Sequence, residues 1–135
     1  MVYDTLQGEI ILDYYRNPRN KGVLENADAH AHDSNPLCGD ELAIFLKLGP
    51  DGRIAKATFD GKGCAISQAA AGMLTELLVG KTLEQAARLA KDDILKLLGI
   101  DLGPSRMKCA LLSLKVAKLA AYGKLGKEMA DDPMK

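Results

Sequence analysis

The chain has no tryptophan, and its 135 residues include only two phenylalanines and four tyrosines. So few flat rings leave no platform for stacked bases, which argues against single-stranded nucleic acid. Net charge is missing too. Eighteen Lys and Arg balance 18 Asp and Glu, so there is no basic footprint for a phosphate backbone, and no nucleic-acid partner is expected. No run of about 18 apolar residues occurs, so no membrane span is expected. Met1-Val2-Tyr3-Asp4 lacks both a basic region and a continuous apolar stretch, so no secretory leader is expected either. The reading is cytoplasmic. Cysteine is scarce and odd in number, at three. In a reducing compartment such a set reads as metal ligands or reactive thiols rather than as a disulfide framework.

What is present is ordinary for a globular protein. Apolar residues make up 47% and charged residues 27%, and a chain this long closes a core without covalent staples. Leu6, Ile10, Ile11, Tyr14 and Tyr15 recur at helical spacing behind Asp4, a candidate cap, and Asn17-Pro18 ends that helix. Residues 17–35 read as a loop rich in Asn, Asp, Gly and His. Leu42, Ile44, Leu46 and Leu48 alternate with less apolar residues, the period of a half-buried strand. Gly49-Pro50-Asp51-Gly52 turns the chain into a second strand, Arg53 to Asp60, with Ala55, Ala57 and Phe59 on one face.

Helices follow: one from about Ser67 to Val79, ended by Gly80, and one opened by the capping box of Thr82 and Gln85 and running to about Ala90. Asp92 is read as the cap of a third, closed by Gly99, and Ser105 as the cap of a last helix reaching about Tyr122. On that helix Ala110, Leu111, Leu114, Ala117 and Ala121 form the inner face. Lys108, Lys115 and Lys118 form a wet face, or equally a docking face for an acidic partner. Strands early and helices late predict an α+β fold, a small antiparallel β-sheet of about three strands with helices packed on one side. Residues 1–122 form a single domain in this reading, with 123–135 as a flexible tail.

The three thiols are spaced Cys-x25-Cys-x44-Cys, too far apart for one local knuckle, so folding has to gather them. Cys38 lies in a Pro- and Gly-flanked loop, which is a poor place for a merely buried cysteine. Asp40, two residues on, is alone most simply a turn aspartate, but Cys-x-Asp sets two donors near one point. Cys64 follows Gly61-Lys62-Gly63 at a helix start, where exposed amides and Lys62 favour the thiolate. Cys109 reads as first-turn in the last helix, beside Arg106 and Lys108. Three soft thiolates and one hard carboxylate suit zinc or an iron–sulfur cluster held loosely at one corner.

Other patterns carry less. Gly80-Lys81-Thr82 lacks the upstream glycine and strand of a phosphate loop. Gly61-x-Gly63 lacks the third glycine of a dinucleotide fingerprint. His30 and His32 form an H-x-H that reads as solvated loop residues, with an auxiliary metal site as the less common alternative.

Four ordered segments resemble one family. Tyr14-Tyr15-Arg16-Asn17-Pro18-Arg19-Asn20-Lys21-Gly22 is similar to the HYxNPRNxG signature of IscU/SufU proteins, the NifU N-terminal-like iron–sulfur scaffolds. Asn35-Pro36-Leu37-Cys38-Gly39-Asp40 resembles their NPxCGD. Residues 59–67, through Gly63-Cys64-Ala65-Ile66-Ser67, resemble the setting of the second cysteine. Arg106-Met107-Lys108-Cys109-Ala110 resembles that of the third. The match spans residues 3 to 122.

The resemblance implies that Cys38, Cys64 and Cys109 are thiolate ligands and sulfur-accepting candidates, with Asp40 the labile fourth ligand. Gly39, Lys62, Gly63 and Lys108 surround them. It implies a transient [2Fe–2S] cluster, or Zn2+ in the same site. The implied partners are a cysteine desulfurase, an iron donor and client apo-proteins. The implied role is a scaffold rather than an enzyme, or alternatively a zinc-dependent sulfur acceptor that stimulates the desulfurase. The IscU branch carries His before its third cysteine; Lys108 stands there in this chain, as in the SufU branch. The interval of 44 residues between the second and third cysteines is close to the IscU length and lacks the SufU insertion. Leu102-Gly103-Pro104-Ser105-Arg106 replaces the LPPVK chaperone motif, so a dedicated chaperone is not implied. Whether the N-terminal helix docks on the body, on a second copy as a homo-oligomer or on the desulfurase stays open.

Overall fold

A computed structural model describes residues 6–35 and 39–126. Tyr3, Asp4 and Cys38 lie outside the described residues, as does the chain beyond Gly126. Three antiparallel strands, β1 (Ala29–Asn35), β2 (Asp40–Leu48) and β3 (Ile54–Lys62), form one sheet in that order. Leu42, Ile44 and Leu46 of β2 are buried on one face, as their alternation predicts. The turn at Gly49 closes with Gly49 N–H to Arg53 O at 2.8 Å and Gly52 N–H to Gly49 O at 3.0 Å.

Two sheet features differ from expectation. β1 lies in the segment read as loop. Its inward positions opposite Leu46 and Ile44 are Ala29 and Ala31, so it carries little apolar signal, and His30 and His32 stand on the outer face of a strand. His30 packs near Phe45, with ring centroids 6.2 Å apart. The second difference is a bulge: Lys47 pairs with Lys56 but Leu48 with Ile54. The additional residue, Ala55, shifts the side-chain phase. Ile54 is therefore buried and Ala55 exposed, while Ala57 and Phe59 face the core as expected.

Helices α2 (Ala65–Leu78) and α5 (Pro104–Leu125) pack on the sheet, α2 against β3 and α5 against β1 and β2. Between them run α3 (Leu83–Ala87) and α4 (Lys91–Leu98). The capping box of α3 forms: Gln85 N–H donates to Thr82 Oγ1, and Thr82 N–H donates to Gln85 Oε1. In α4 the capping carboxylate is Asp93, not Asp92, because Asp93 Oδ2 accepts from Ala90 N–H at 2.8 Å. Gly99 closes α4 in the left-handed region.

The last helix begins two residues earlier relative to its cysteine than the sequence suggests. Gly103 is its N-cap position and Pro104 its first residue, so position 105 lies inside the helix rather than at its cap. It also runs to Leu125, past Tyr122. Lys118 is not on a wet face: it is 1% exposed, and its Nζ donates to Leu89 O at 2.9 Å. Lys115 is half-buried and pairs with Asp33 at 2.9 Å. Only Lys108 of the three is exposed. The predicted inner-face residues of this helix are all buried.

Helix α1 (Leu6–Arg16) stops where Asn17-Pro18 predicts, with Asn17 N–H donating to Asp13 O. Of its apolar stripe, Ile11 is fully buried while Leu6, Ile10 and Tyr15 are exposed. Tyr14 supplies the second attachment. Its ring lies against Gly72 of α2, where an added Cβ would stand 3.0 Å from Tyr14 Cδ1. Its hydroxyl donates to Glu76, and the Arg19 guanidinium covers the ring at 4.2 Å. The next residues run along the far edge of β3: Phe59 N–H donates to Asn20 O and Gly22 N–H to Phe59 O. Asn20 holds φ of 63°, a conformation asparagine tolerates.

Candidate metal centre

Cys64 is the N-cap of α2. β3 ends at Lys62, so Gly63 alone separates the strand from that cap. Its sulfur makes no cap hydrogen bond to the helix amides. It lies instead 3.7 Å from Asp40 Oδ2, and the Cys64 N–H donates to Asp40 Oδ1 at 3.1 Å. Asp40 opens β2 next to Gly39, whose N–H donates to Asn35 O at 2.8 Å and whose φ is 74°. The carboxylate is thus fixed at the positive end of α2, where negative charge is stabilised.

Cys109 comes from α5 and is buried, whereas Cys64 is half-buried. Donor atoms of Asp40, Cys64 and Cys109 all lie within 4.8 Å of one another. Neither described cysteine is in a disulfide. Cys109 is the sixth residue of α5, in its second turn rather than its first. The helix-end field fades within one turn, so it acts on Cys64 and far less on Cys109.

Gly63 is required by the approach of these parts. A Cβ there would stand 2.4 Å from Ser67 Oγ, 2.7 Å from Asp40 Oδ1 and 2.8 Å from Asp40 Cγ. Gly61 is equally constrained: it holds φ of 128°, and its Cβ would stand 2.2 Å from Glu41 O. Lys62 and Lys108 are exposed beside Gly63 and Cys109 respectively.

The donor set fits one metal ion. Ligand atoms at about 2.3 Å for sulfur and about 2.0 Å for oxygen, at a tetrahedral angle, stand roughly 3.5 Å apart. The 3.7 Å between Cys64 Sγ and Asp40 Oδ2 is near that figure. Asp40 is 3% exposed, and none of the ion pairs among the described residues involves it. A buried carboxylate without a cationic side chain is costly unless a positive charge joins it. Among the predicted ligands, the structure gathers Asp40, Cys64 and Cys109; Cys38 is outside the described residues.

Three residues beside the site were not named as site residues from the sequence, although Lys21 and Ser67 lie in the family-like segments. Ser67 Oγ donates to Cys64 O at 3.0 Å. Gln68 N–H donates to the same carbonyl at 3.1 Å, and Lys21 Nζ donates to Gln68 Oε1 at 3.0 Å. A signal was available, since Ser67 and Gln68 are polar and buried in the otherwise apolar first half of α2.

Known proteins resemble this chain over most of its length. Residues 6–130 match the model of the NifU-like N terminal domain. The zinc-dependent sulfurtransferase SufU of Bacillus subtilis is 41% identical over 130 residues, covering 83% of this chain and 86% of SufU. The iron–sulfur cluster assembly scaffold protein IscU 1 of Archaeoglobus fulgidus is 36% identical over 110 residues, covering 82% of this chain and 71% of its own. A crystal structure from Fervidobacterium islandicum, of a protein described as a candidate iron–sulfur cluster assembly scaffold for the SUF system, superposes with a TM-score of 0.73. It is 29% identical and covers 84% of this chain and 94% of its own. With the family model matching nearly its whole length, the chain belongs to the NifU-like N-terminal domain family.

Proposed function

We propose that this protein accepts sulfur from a cysteine desulfurase and, with two electrons per sulfur supplied by an external electron donor, assembles a labile [2Fe–2S] cluster for transfer to client apo-proteins. Cys38, Cys64, Cys109 and Asp40 are the proposed ligands. The observation that carries the reading is the convergence of Asp40, Cys64 and Cys109 within 4.8 Å in a chain of this family. Of the described pair, half-buried Cys64 is the thiol an incoming persulfide meets first. Its thiolate attacks the outer sulfur; a new S–S bond forms on Cys64, the donor's S–S bond breaks, and the donor leaves as its own thiolate. Asp40 is the weak corner, because a hard carboxylate holds soft iron or zinc less firmly than thiolate does. Such a corner lets cargo leave. The working compartment in this reading is the reducing cytoplasm, where thiols persist.

A second reading, a zinc-dependent sulfur acceptor, is favoured by the 41% identity to SufU and by Lys108, whose charged ammonium is no ligand. Zinc in the site would hold the thiolates and leave one to be exchanged for the incoming sulfur.

Metal and acid-labile sulfide, measured on protein purified without air, test the proposal. Iron and sulfide in equal amounts with visible charge-transfer bands support the scaffold. One zinc without sulfide, together with strong stimulation of desulfurase turnover, supports the sulfur acceptor. Protein that takes up neither metal contradicts both.

A further inference from the structure

Gln68 is 4% exposed, and its Nε2 has no hydrogen-bond partner. Buried side-chain nitrogens are rarely left so, and each such case asks for an explanation. The amide cannot be turned to relieve it. Lys21 Nζ sits 3.0 Å from Oε1, and an ammonium only donates. The carbonyl must face Lys21, so the amide's two N–H groups point away from it.

Gln68 follows Cys64 by one turn of α2, and its own N–H donates to Cys64 O. Long side chains on a helix lean toward its N-terminus and cover the preceding turn. That turn carries Cys64, whose sulfur accepts no hydrogen bond from the helix amides.

We propose that Gln68 is a positioning residue for sulfur at Cys64. Pinned through its carbonyl by Lys21, its amide donates to a sulfur held at that corner, either the Cys64 thiolate on a metal or the sulfur it has accepted. The inference rests on the proposed function, since it needs the site to be loaded. Loading then satisfies the donor, which adds to the pull of the buried Asp40 carboxylate on a positive ion. Lys21 acts through Gln68 and touches no cargo.

Cobalt(II) substitution tests this, with Gln68→Met as a variant of similar length that lacks the donor, and Lys21→Met as an exposed change that only frees the amide. Wild-type protein is expected to give sulfur-to-cobalt charge-transfer bands. In Gln68→Met these bands move to lower energy, because a thiolate without the hydrogen bond donates more charge, and cobalt passes to a chelator roughly tenfold faster. Lys21→Met gives a smaller shift in the same direction. The metal-free Gln68→Met protein melts close to wild type, since loss of the Lys21 hydrogen bond is offset by loss of the unsatisfied donor. Identical bands and release rates in wild type and both variants overturn the proposal while leaving the site intact. A lower melting point of metal-free Gln68→Met with unchanged bands also overturns it, showing a packing role only. Wild-type protein without charge-transfer bands overturns the site reading and this inference with it. Should Gln68→Met not fold, the Lys21→Met spectrum decides alone.

Discussion

Asp40 illustrates how one side chain is set by its neighbours. Its Oδ1 is held by the Cys64 amide, leaving Oδ2 as the atom beside Cys64 Sγ. Replacing it keeps the thiolates and removes the weak corner, so Asp40→Ala is expected to lengthen the lifetime of a reconstituted cluster severalfold. Loss of the visible bands with time measures it, and an unchanged or shorter lifetime contradicts the labile role. Gly63 makes the opposite prediction. A methyl there collides with Asp40 and Ser67, and crowding of that kind costs about 1–3 kcal/mol. Gly63→Ala is therefore expected to weaken zinc binding by roughly tenfold or more. Competition with a chromophoric chelator reads this directly, and wild-type affinity would mean the site relaxes without consequence.

At the scale of elements, α1 is attached at few points. Ile11 is fully buried while Leu6 is 75% exposed. Ile11→Ala should cost about 2–5 kcal/mol, and Leu6→Ala under about 0.5 kcal/mol. Urea midpoints check both. In hydrogen exchange, α1 amides of Ile11→Ala should lose protection ahead of the sheet; equal effects of the two substitutions would show that the helix is not anchored as described. The same elements show what the sequence made legible. β2, the turn at Gly49 and α2 were readable because apolar spacing and glycine placement say the same thing at each. β1 was not, since its inward positions are alanine and its outer ones His30 and His32. Nor was the bulge at Ala55, because the cue lies in pairing with the partner strand. Lys118 was misplaced on a wet face because its burial depends on a carbonyl at Leu89, far away in sequence. Cys64 and Asp40 were readable from glycine-rich local motifs. Gln68 was not, since its meaning depends on Lys21 arriving from another element.

For the molecule as a whole, Cys109 is one of many buried apolar residues in the core between sheet and helices, so chelation should lower the melting temperature without unfolding the protein at 25 °C, in contrast to small metal-nucleated domains. Its acid response has a definite sign. Partial burial is the largest influence on Asp33 and pushes its carboxyl up. The Lys115 ammonium, the Ser34 N–H and the charge of His32 together outweigh it and hold the group below its ordinary 3.8. A depressed carboxyl stabilises the fold above its unfolded pKa, and the gain disappears as pH falls through the folded value. Wild-type urea midpoints should therefore be level from about pH 6 to pH 5 and fall below about pH 4. Lys115→Met should flatten part of that fall; an equally steep fall in the variant would remove Asp33 from the account.

The central claim is that one mixed sulfur and oxygen site is assembled from three separate elements. X-ray absorption at the zinc edge of zinc-loaded wild-type protein tests it most directly. Three sulfurs at about 2.3 Å and one oxygen at about 2.0 Å are predicted. A shell of nitrogen and oxygen only, or a single sulfur, would contradict it.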